Sequence, residues 1–577
     1  MYMVSSKKPR RVFVASAWPY ANGPLHLGHA ASLIGADVLA RYHRLKGDQV
    51  LFVSGSDCYG TPITLEALGR GVDPSTIAEQ YHTEFCASFD ALSFSFDLYT
   101  KTTTSEHQKT VQDIFSTLHK KGLVYTKVDK ALYSPALQRF LPDRFVEGVC
   151  PHCGYTDARG DQCDECGKLL DPLSLRDPRV NPKMFPGQVP SSDFALEVRE
   201  SEHFYLKLSA FQGDLENHLA ATGGGWRVQA RRFTEGFLQQ GLHDRAITRD
   251  TDWGVPIPVD GYADKRLYVW FEAVLGYLSA AQHYTQREGD VDGWKQWFFS
   301  DDVVHYYVHG KDNVPFHSII LPAILMGAGD YHLPDRIFSS EYLLLEGKQF
   351  STSRGHAVWV SDFLKHFDSE LLRYAMIAQG PETSDVDFRW VAFGQMVNGE
   401  LIGTFGNLVN RICAFTRKNF PDGVSFSGAV GDSAKQLLIA TEKAFSSVGT
   451  HIEAGEFRQG FREILRVAEV ANRFAHTQEP WKHLDDMQRV HTDVSVLLHT
   501  ISMLSLLIQP FLPKTSTAIQ GFFGPDTVGS DAGVSHTPLG WRYFELPKTF
   551  VLRDVVPLFA KVEDAAIQAQ LEQLGVV

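Results

Sequence analysis

The apolar run Val12-Phe13-Val14 leads through Ala15-Ser16-Ala17-Trp18-Pro19-Tyr20-Ala21-Asn22-Gly23-Pro24 into Leu25-His26-Leu27-Gly28-His29, where a long helical pattern opens. A short apolar run, a loop punctuated by proline and glycine, and then a helix describe one strand handing the chain to a helix start. That junction commits this part of the chain to an α/β layer. It also makes an anion site, because free backbone N–H groups and the positive end of the helix dipole converge there. His26 and His29 add neutral or cationic donors. As a bare H-x-x-H, the pair is more simply read as decoration of a helix N-terminus.

At 577 residues the chain is too long for one core and should hold several domains. From Arg11 to about Leu118, strand-like runs alternate with helical ones, the pattern of a parallel sheet covered by helices. Val50-Leu51-Phe52-Val53 reads as the second strand, ending at Ser54-Gly55-Ser56-Asp57, a position where open α/β sheets bind ligands. Leu267-Tyr268-Val269-Trp270-Phe271 and Val303 to Val308 read as further buried strands. Residues 122–232 are rich in proline and glycine and read as a small inserted domain. Beyond about Phe393 the pattern turns helical, with 3.6-residue periodicity from Leu401 to Phe415 and from Phe457 to His476, and a bundle is expected.

Four of the seven cysteines, Cys150, Cys153, Cys163 and Cys166, form two C-x2-C pairs. Such knuckles gather four thiolates for a structural zinc, one per chain, with no open coordination position for catalysis. A disulfide framework is the competing reading, but the other cysteines are scattered and the basic N-terminus is cut short by Pro19 before it reaches the length of a signal-peptide core. No run reaches the roughly 18 apolar residues of a membrane span, so a cytoplasmic protein with no membrane partner is expected. The formal charge of −13 argues against a uniformly basic surface of the kind that coats nucleic acid, though not against local basic faces.

The extended run P-Y-A-N-G-x-x-H-L-G-H resembles the HIGH signature of class I aminoacyl-tRNA synthetases, in the form found in the methionyl-tRNA synthetase family. Three distant stretches carry the same resemblance. Val53-Ser54-Gly55-Ser56-Asp57 with Gly60-Thr61-Pro62 is similar to the segment whose aspartate holds the substrate ammonium; on its own Asp57 is as readily a helix cap. Tyr268 to Tyr277 is similar to V-W-x-D-A-P-I-G-Y, with Glu272 in place of Asp and Val274-Leu275 in place of Pro-Ile. There an aromatic wall suits the polarisable sulfur of methionine, although such a stripe alone is usually core. Gly310-Lys311-Asp312 with Phe316-His317 is similar to G-K-D-x-x-x-F-H, where Asp312 is otherwise a turn residue. The second ATP loop of the family, KMSKS, corresponds to 347–355, with Gln349 and Thr352 at the lysine positions; Lys348 and Arg354 are the nearby cations. Loss of such a cation removes charge stabilisation from nucleotidyl transfer.

The resemblance implies a Rossmann-like class I synthetase catalytic domain (1–121 and 233–340), a zinc-knuckle connective insertion (122–232), a stem-contact region with the KMSKS-like loop (341–392), an all-α anticodon-binding bundle (393–541) and a short tail (542–577). It implies ATP-dependent activation of methionine to methionyl-adenylate and its transfer to methionine tRNA, with Mg²⁺ accompanying ATP. His26 and His29 would serve catalysis. Asn22, Gly28, Lys311, Asp312, Lys348, Ser351, Thr352, Ser353 and Arg354 would hold ATP. Ala17, Trp18, Tyr20, Asp57, Trp270, Ala273, Tyr277, Phe316 and His317 would hold methionine. In the bundle, Asn407 and Arg411, four apart on one helix face, and Trp481 would meet unstacked anticodon bases, where burial is the other reading of a single Trp. The insertion is too small for a hydrolytic editing domain, and the tail carries no appended dimerisation domain, so a monomer is expected. Two other readings stay open at this point: a paralogous adenylate-forming enzyme with another amino acid or acceptor, motivated by Glu272 and the altered loop, and a noncatalytic tRNA-binding protein.

Overall fold

The computed structural model describes residues 9–141, 145–160, 163, 165–166, 170–181, 196–350, 355–426, 429–523 and 540–575. Its centre is a parallel sheet of β1 (Arg11–Ser16), β2 (Gln49–Ser56), β3 (Leu98–Lys101), β4 (Val303–Gly310) and β5 (Arg336–Ser340), in the spatial order β5-β4-β1-β2-β3. Val12, Phe13 and Val14 are wholly buried, as in a strand covered on both faces, which is why this run does not alternate. The chain direction of the winding reverses between β1 and β4. Their carboxyl ends lie together, Ala17 N donating to Val308 O at 2.9 Å, and this switch point opens the crevice where such sheets bind nucleotides.

The insertion is built on Val124–Ser134 paired antiparallel with Glu197–Leu206. Its sheet takes in Arg245–Ala246, and the division expected at 232 falls inside the helix Val228–Gln239. A second small sheet carries the knuckle and packs Leu65 and Leu68 of the helix Thr61–Arg70 against its own core. The expected strand at 267–271 is corrected: only Arg266–Leu267 is extended, and Val269–Glu272 begins a helical run that continues to Arg287. A short apolar run has no period that separates strand from buried helix.

The helical part begins with Trp390–Met396, inside which the expected boundary at 393 falls. It continues without a break through Val397–Gly406 to Asn407–Asn419. The middle segment is a π-helix rather than the expected 3.6-period turn, and its three glycines fit a wide, poorly packed helix. Asp432–Glu453, Phe457–Gln478 and Met487–Ile508 complete the bundle. The last corrects the expectation that no segment is apolar enough to cross a membrane. On length and composition this helix qualifies, yet 83% of its apolar window is buried inside the protein, where it forms the bundle's core. The tail turns back, and Val562 exchanges two hydrogen bonds with Asn398.

One buried ion pair ties these parts together. Arg373, on Ser369–Ala378, reaches Asp37 in the helix Leu27–Lys46 at 2.7 Å, both side chains 0% exposed. Its other donors meet Leu92 O and Phe511 O, while Ser95 and Arg41 complete the Asp37 carboxylate. Burial pushes that carboxyl up, but Arg373, Arg41 and Ser95 outweigh it and hold it below its ordinary value. Hydrogen-bonded at each of its three nitrogens, Arg373 with Asp37 fixes how catalytic sheet and bundle dock.

Candidate active site

The loop after β1 is held on both sides by backbone pairing. Tyr20 bridges Asp57 beyond β2, with Ala21 N on Asp57 O at 2.8 Å and Asp57 N on Pro19 O at 2.9 Å. Asn22 N closes a turn on Tyr20 O. Leu25 and Leu27 then pair with Val360 and Val358, so the segment following 351–354 lies along the start of the first helix.

His26 is the N-cap of that helix. Its Nδ1 accepts from Gly28 N at 3.1 Å, and His29 Nδ1 accepts from His26 N at 3.1 Å, a reciprocal cap made by two imidazoles. A side chain at 28 would sit 2.9 Å from the His26 ring, which accounts for the glycine. Burial lowers both rings, His29 to about 4 and His26 well below its ordinary value, with His29 adding to the latter. Both are therefore neutral near pH 7, with Nδ1 accepting and Nε2 carrying the proton. Of the neutral or cationic donors expected, these are the neutral ones. The His26 ring stacks on Phe350 at 4.8 Å with planes 17° apart.

Trp18 occupies a slot between two strand and helix backbones. A Cβ at Gly55 or Gly276 would come within 2.5 Å or 2.7 Å of its ring. Tyr277 meets it edge-on at 6.3 Å, Tyr277 OH donates to His317 Nε2 at 2.6 Å, and His317 Nδ1 donates to Asn313 O at 2.8 Å. That chain leaves His317 neutral, as does burial, which lowers it to about 4. Trp270 packs on Phe316 at 4.6 Å and is 47% exposed, an open edge of the pocket, and Ala273 follows it half-buried in the same helical run. Asp57 is 4% exposed and, among the described residues, receives only the N–H of Tyr59 on its side chain, at 3.3 Å. No cation pairs with it among the described residues. Burial pushes its carboxyl well above the usual range, and a charge on Glu272 would push it further.

At the end of β4, Asp312 is exposed and accepts from Tyr342 OH at 2.6 Å. Lys311 is bonded to Glu341 at 3.0 Å and Asp385 at 2.8 Å, so its charge is already matched by two carboxylates. Lys348 is exposed in the strand Lys348–Gln349. Ser351, Thr352, Ser353 and Arg354 lie outside the described residues. Phe350, Trp359 and His107 escaped the sequence reading. Phe350 lies within the KMSKS-like stretch without a role of its own there, and no motif spacing marks Trp359 or His107, which meet the site only through tertiary pairing.

Two other groups lie away from this crevice. The sulfurs of Cys150, Cys153, Cys163 and Cys166 all lie within 4.8 Å of one another, with 3.9 Å between Cys150 and Cys166 and 3.6 Å between Cys153 and Cys163. A tetrahedron with metal–sulfur bonds of about 2.3 Å separates its sulfurs by about 3.8 Å. The four-thiol set therefore fits zinc, and His152 N already points at the Cys150 sulfur at 3.4 Å. In the bundle, Asn407 is exposed, and Arg411 donates to Asn472 at 3.2 Å while lying over the Trp481 ring at 5.2 Å. Glu479, at φ 44°, turns the chain that presents Trp481.

Residues 12–413 match the family model described as tRNA synthetases class I (M), and 424–575 match that of the anticodon binding domain of methionyl tRNA ligase. A methionine-tRNA ligase of Roseiflexus sp. strain RS-1 is 45% identical over 526 residues, covering 89% of this chain and 87% of the relative. That of Roseiflexus castenholzii is 41% identical, covering 98% and 99%. Among solved structures, Mycobacterium tuberculosis methionyl-tRNA synthetase bound by methionyl-adenylate superposes with a TM-score of 0.77 at 25% identity, covering 96% of this chain and all of the other.

Proposed function

The chain belongs to the class I tRNA synthetases of the methionine type, and on that premise we propose which of its residues carry each step. Its activity is the ATP-dependent ligation of methionine to tRNA. In the first step the methionine carboxylate attacks the α-phosphorus of ATP and pyrophosphate leaves; in the second the terminal ribose hydroxyl of the tRNA attacks the acyl carbon and AMP leaves. Neither step needs a side-chain nucleophile. Positioning and charge stabilisation carry the rate.

The observation that carries the assignment is Asp57, a buried carboxyl with no cation beside it among the described residues. A substrate ammonium supplies the missing countercharge and restores the ionised form. Trp18, Tyr20, Ala17, Trp270, Ala273, Tyr277, Phe316 and His317 then enclose the thioether. His26 and His29 present their Nε2–H groups to the phosphates as fixed dipoles, which need no reorganisation as charge develops. Asn22, Gly28 and Asp312 take the rest of ATP, Asp312 through its ribose. Lys311 orients Glu341 and Asp385, and Lys348, with Ser351, Thr352, Ser353 and Arg354, would bind the phosphates. Mg²⁺ enters with ATP as part of the substrate.

Cys150, Cys153, Cys163 and Cys166 would hold one zinc, whose contribution is to fold the knuckle against the helix that follows Asp57. Asn407, Arg411 and Trp481 would read the anticodon of methionine tRNA, Trp481 by stacking. One chain supplies every part, so a monomer suffices, and its substrates set its place of work in the cytoplasm. The test is Asp57→Asn in amino-acid-dependent exchange of pyrophosphate into ATP. A rise in KM for methionine of about a hundredfold with little change in KM for ATP supports the assignment, and an unchanged KM for methionine overturns it.

A further inference from the structure

Behind the pocket, two helical runs meet on a chain of buried polar atoms. Glu272 closes Val269–Glu272, His107 lies on Ser105–Lys120, and Ser279 lies on Gly276–Arg287. Glu272 and His107 are 0% and 1% exposed at their side chains. His107 Nε2 stands 2.7 Å from Glu272 Oε2, and His107 Nδ1 stands 2.9 Å from Ser279 Oγ. The hydroxyl of Ser279 donates to Gly276 O at 3.0 Å. A hydroxyl has one proton, so Ser279 Oγ accepts from His107, and Nδ1 is the donor.

One proton therefore lies between Nε2 and Oε2. The pair is either imidazolium with carboxylate or imidazole with carboxylic acid. Two separated charges in a dry interior cost several kcal/mol each before their attraction is counted. Moreover, Glu272 Oε1 is buried with no hydrogen-bond partner among the described residues, a place where a neutral carbonyl oxygen is tolerable and a carboxylate oxygen is not. The groups whose values a charge on Glu272 raises are Asp57, Tyr20, Cys58 and Tyr59, and none of these four is a cation. Burial moves both partners toward neutrality, His107 down to about 3 and Glu272 well above its usual range.

We propose that Glu272 is a positioning residue that works as a neutral carboxylic acid, donating to His107 Nε2 and leaving Asp57 as the one negative charge that meets the substrate ammonium. The inference rests on the reading of Asp57 given above. Geometrically, the pair braces the helical run that carries Trp270, Ala273 and Tyr277, and the His107 ring lies 6.2 Å from Trp18. Electrostatically, it keeps a second anion away from a site built for a single ammonium. Glutamate has the reach for this bond across to Ser105–Lys120; aspartate, one methylene shorter, would lose it.

The experiment compares Glu272→Gln, Glu272→Ala and Glu272→Asp in methionine-dependent pyrophosphate exchange, with methionine and ATP varied separately and thermal melting alongside. The glutamine amide donates to His107 as the acid does, so Glu272→Gln should keep kcat/KM for methionine within about twofold and leave its pH profile unmoved. Glu272→Ala and Glu272→Asp should raise KM for methionine about tenfold while KM for ATP stays level. A tenfold loss in the isosteric Glu272→Gln with unchanged melting would mean that charge is required and would overturn the proposal. Wild-type values in Glu272→Ala would equally overturn it. An unchanged methionine KM in Asp57→Asn would instead remove the reading on which it rests.

Discussion

The ring of Phe350 lies flat on that of His26, centroids 4.8 Å apart and planes inclined by 17°. It is the last described residue before 351–354, so it joins that loop to the helix cap proposed to meet the phosphates. Removing the ring frees His26 to turn while leaving the methionine pocket intact. Phe350→Ala is expected to lower kcat for pyrophosphate exchange about tenfold with KM for methionine unchanged. Equal effects on both parameters would mean that the stack merely supports the fold.

Both signature histidines accept backbone N–H groups at Nδ1, and a proton there breaks the cap. Their values lie below the ordinary 6.5 in the folded protein, His29 at about 4. A depressed value favours the neutral form in the folded state. Their contribution to stability is therefore complete above pH 6.5 and is lost as pH falls toward about 4. The exchange rate at saturating substrate should accordingly show no inflection from these rings between pH 6 and 8. An inflection near 6.5 that disappears in His29→Asn would contradict the neutral assignment.

Arg411 is held over the Trp481 ring by Asn472, whose amide is itself fixed by Thr404 O. These residues lie in the bundle, far in sequence from His26, Asp57 and Asp312. Trp481→Ala should reduce aminoacylation of methionine tRNA by about a hundredfold and leave pyrophosphate exchange unaltered, since base stacking contributes about 1–3 kcal/mol. Parallel losses in both assays would refute an anticodon role.

The strand, loop and helix at 11–46 were legible because each element carries its own local signal: an unbroken apolar run, Pro-Gly punctuation and a helix with capping residues. The four cysteines were legible for the same reason. At 267–271 the local signal failed, since a buried helical turn of Val269, Trp270 and Phe271 has the same composition as a central strand. Met487–Ile508 failed in a related way: His499, Asp493 and Thr500 interrupt the apolar run in sequence, yet all are buried in the bundle. The protonation state of His26 and His29 was not legible, because it follows from cap geometry and burial. Glu272 stood out as a departure from its motif, but its partner His107 is 165 residues away and only topology brings them together.

Amino-acid-dependent exchange of pyrophosphate into ATP, run with each of the twenty amino acids on the wild-type chain, tests the central claim most directly. Exchange with methionine alone is the expected result. Exchange driven by a different amino acid, or by none, would contradict a site in which Asp57 and the Trp18, Tyr277 and His317 walls select and activate methionine.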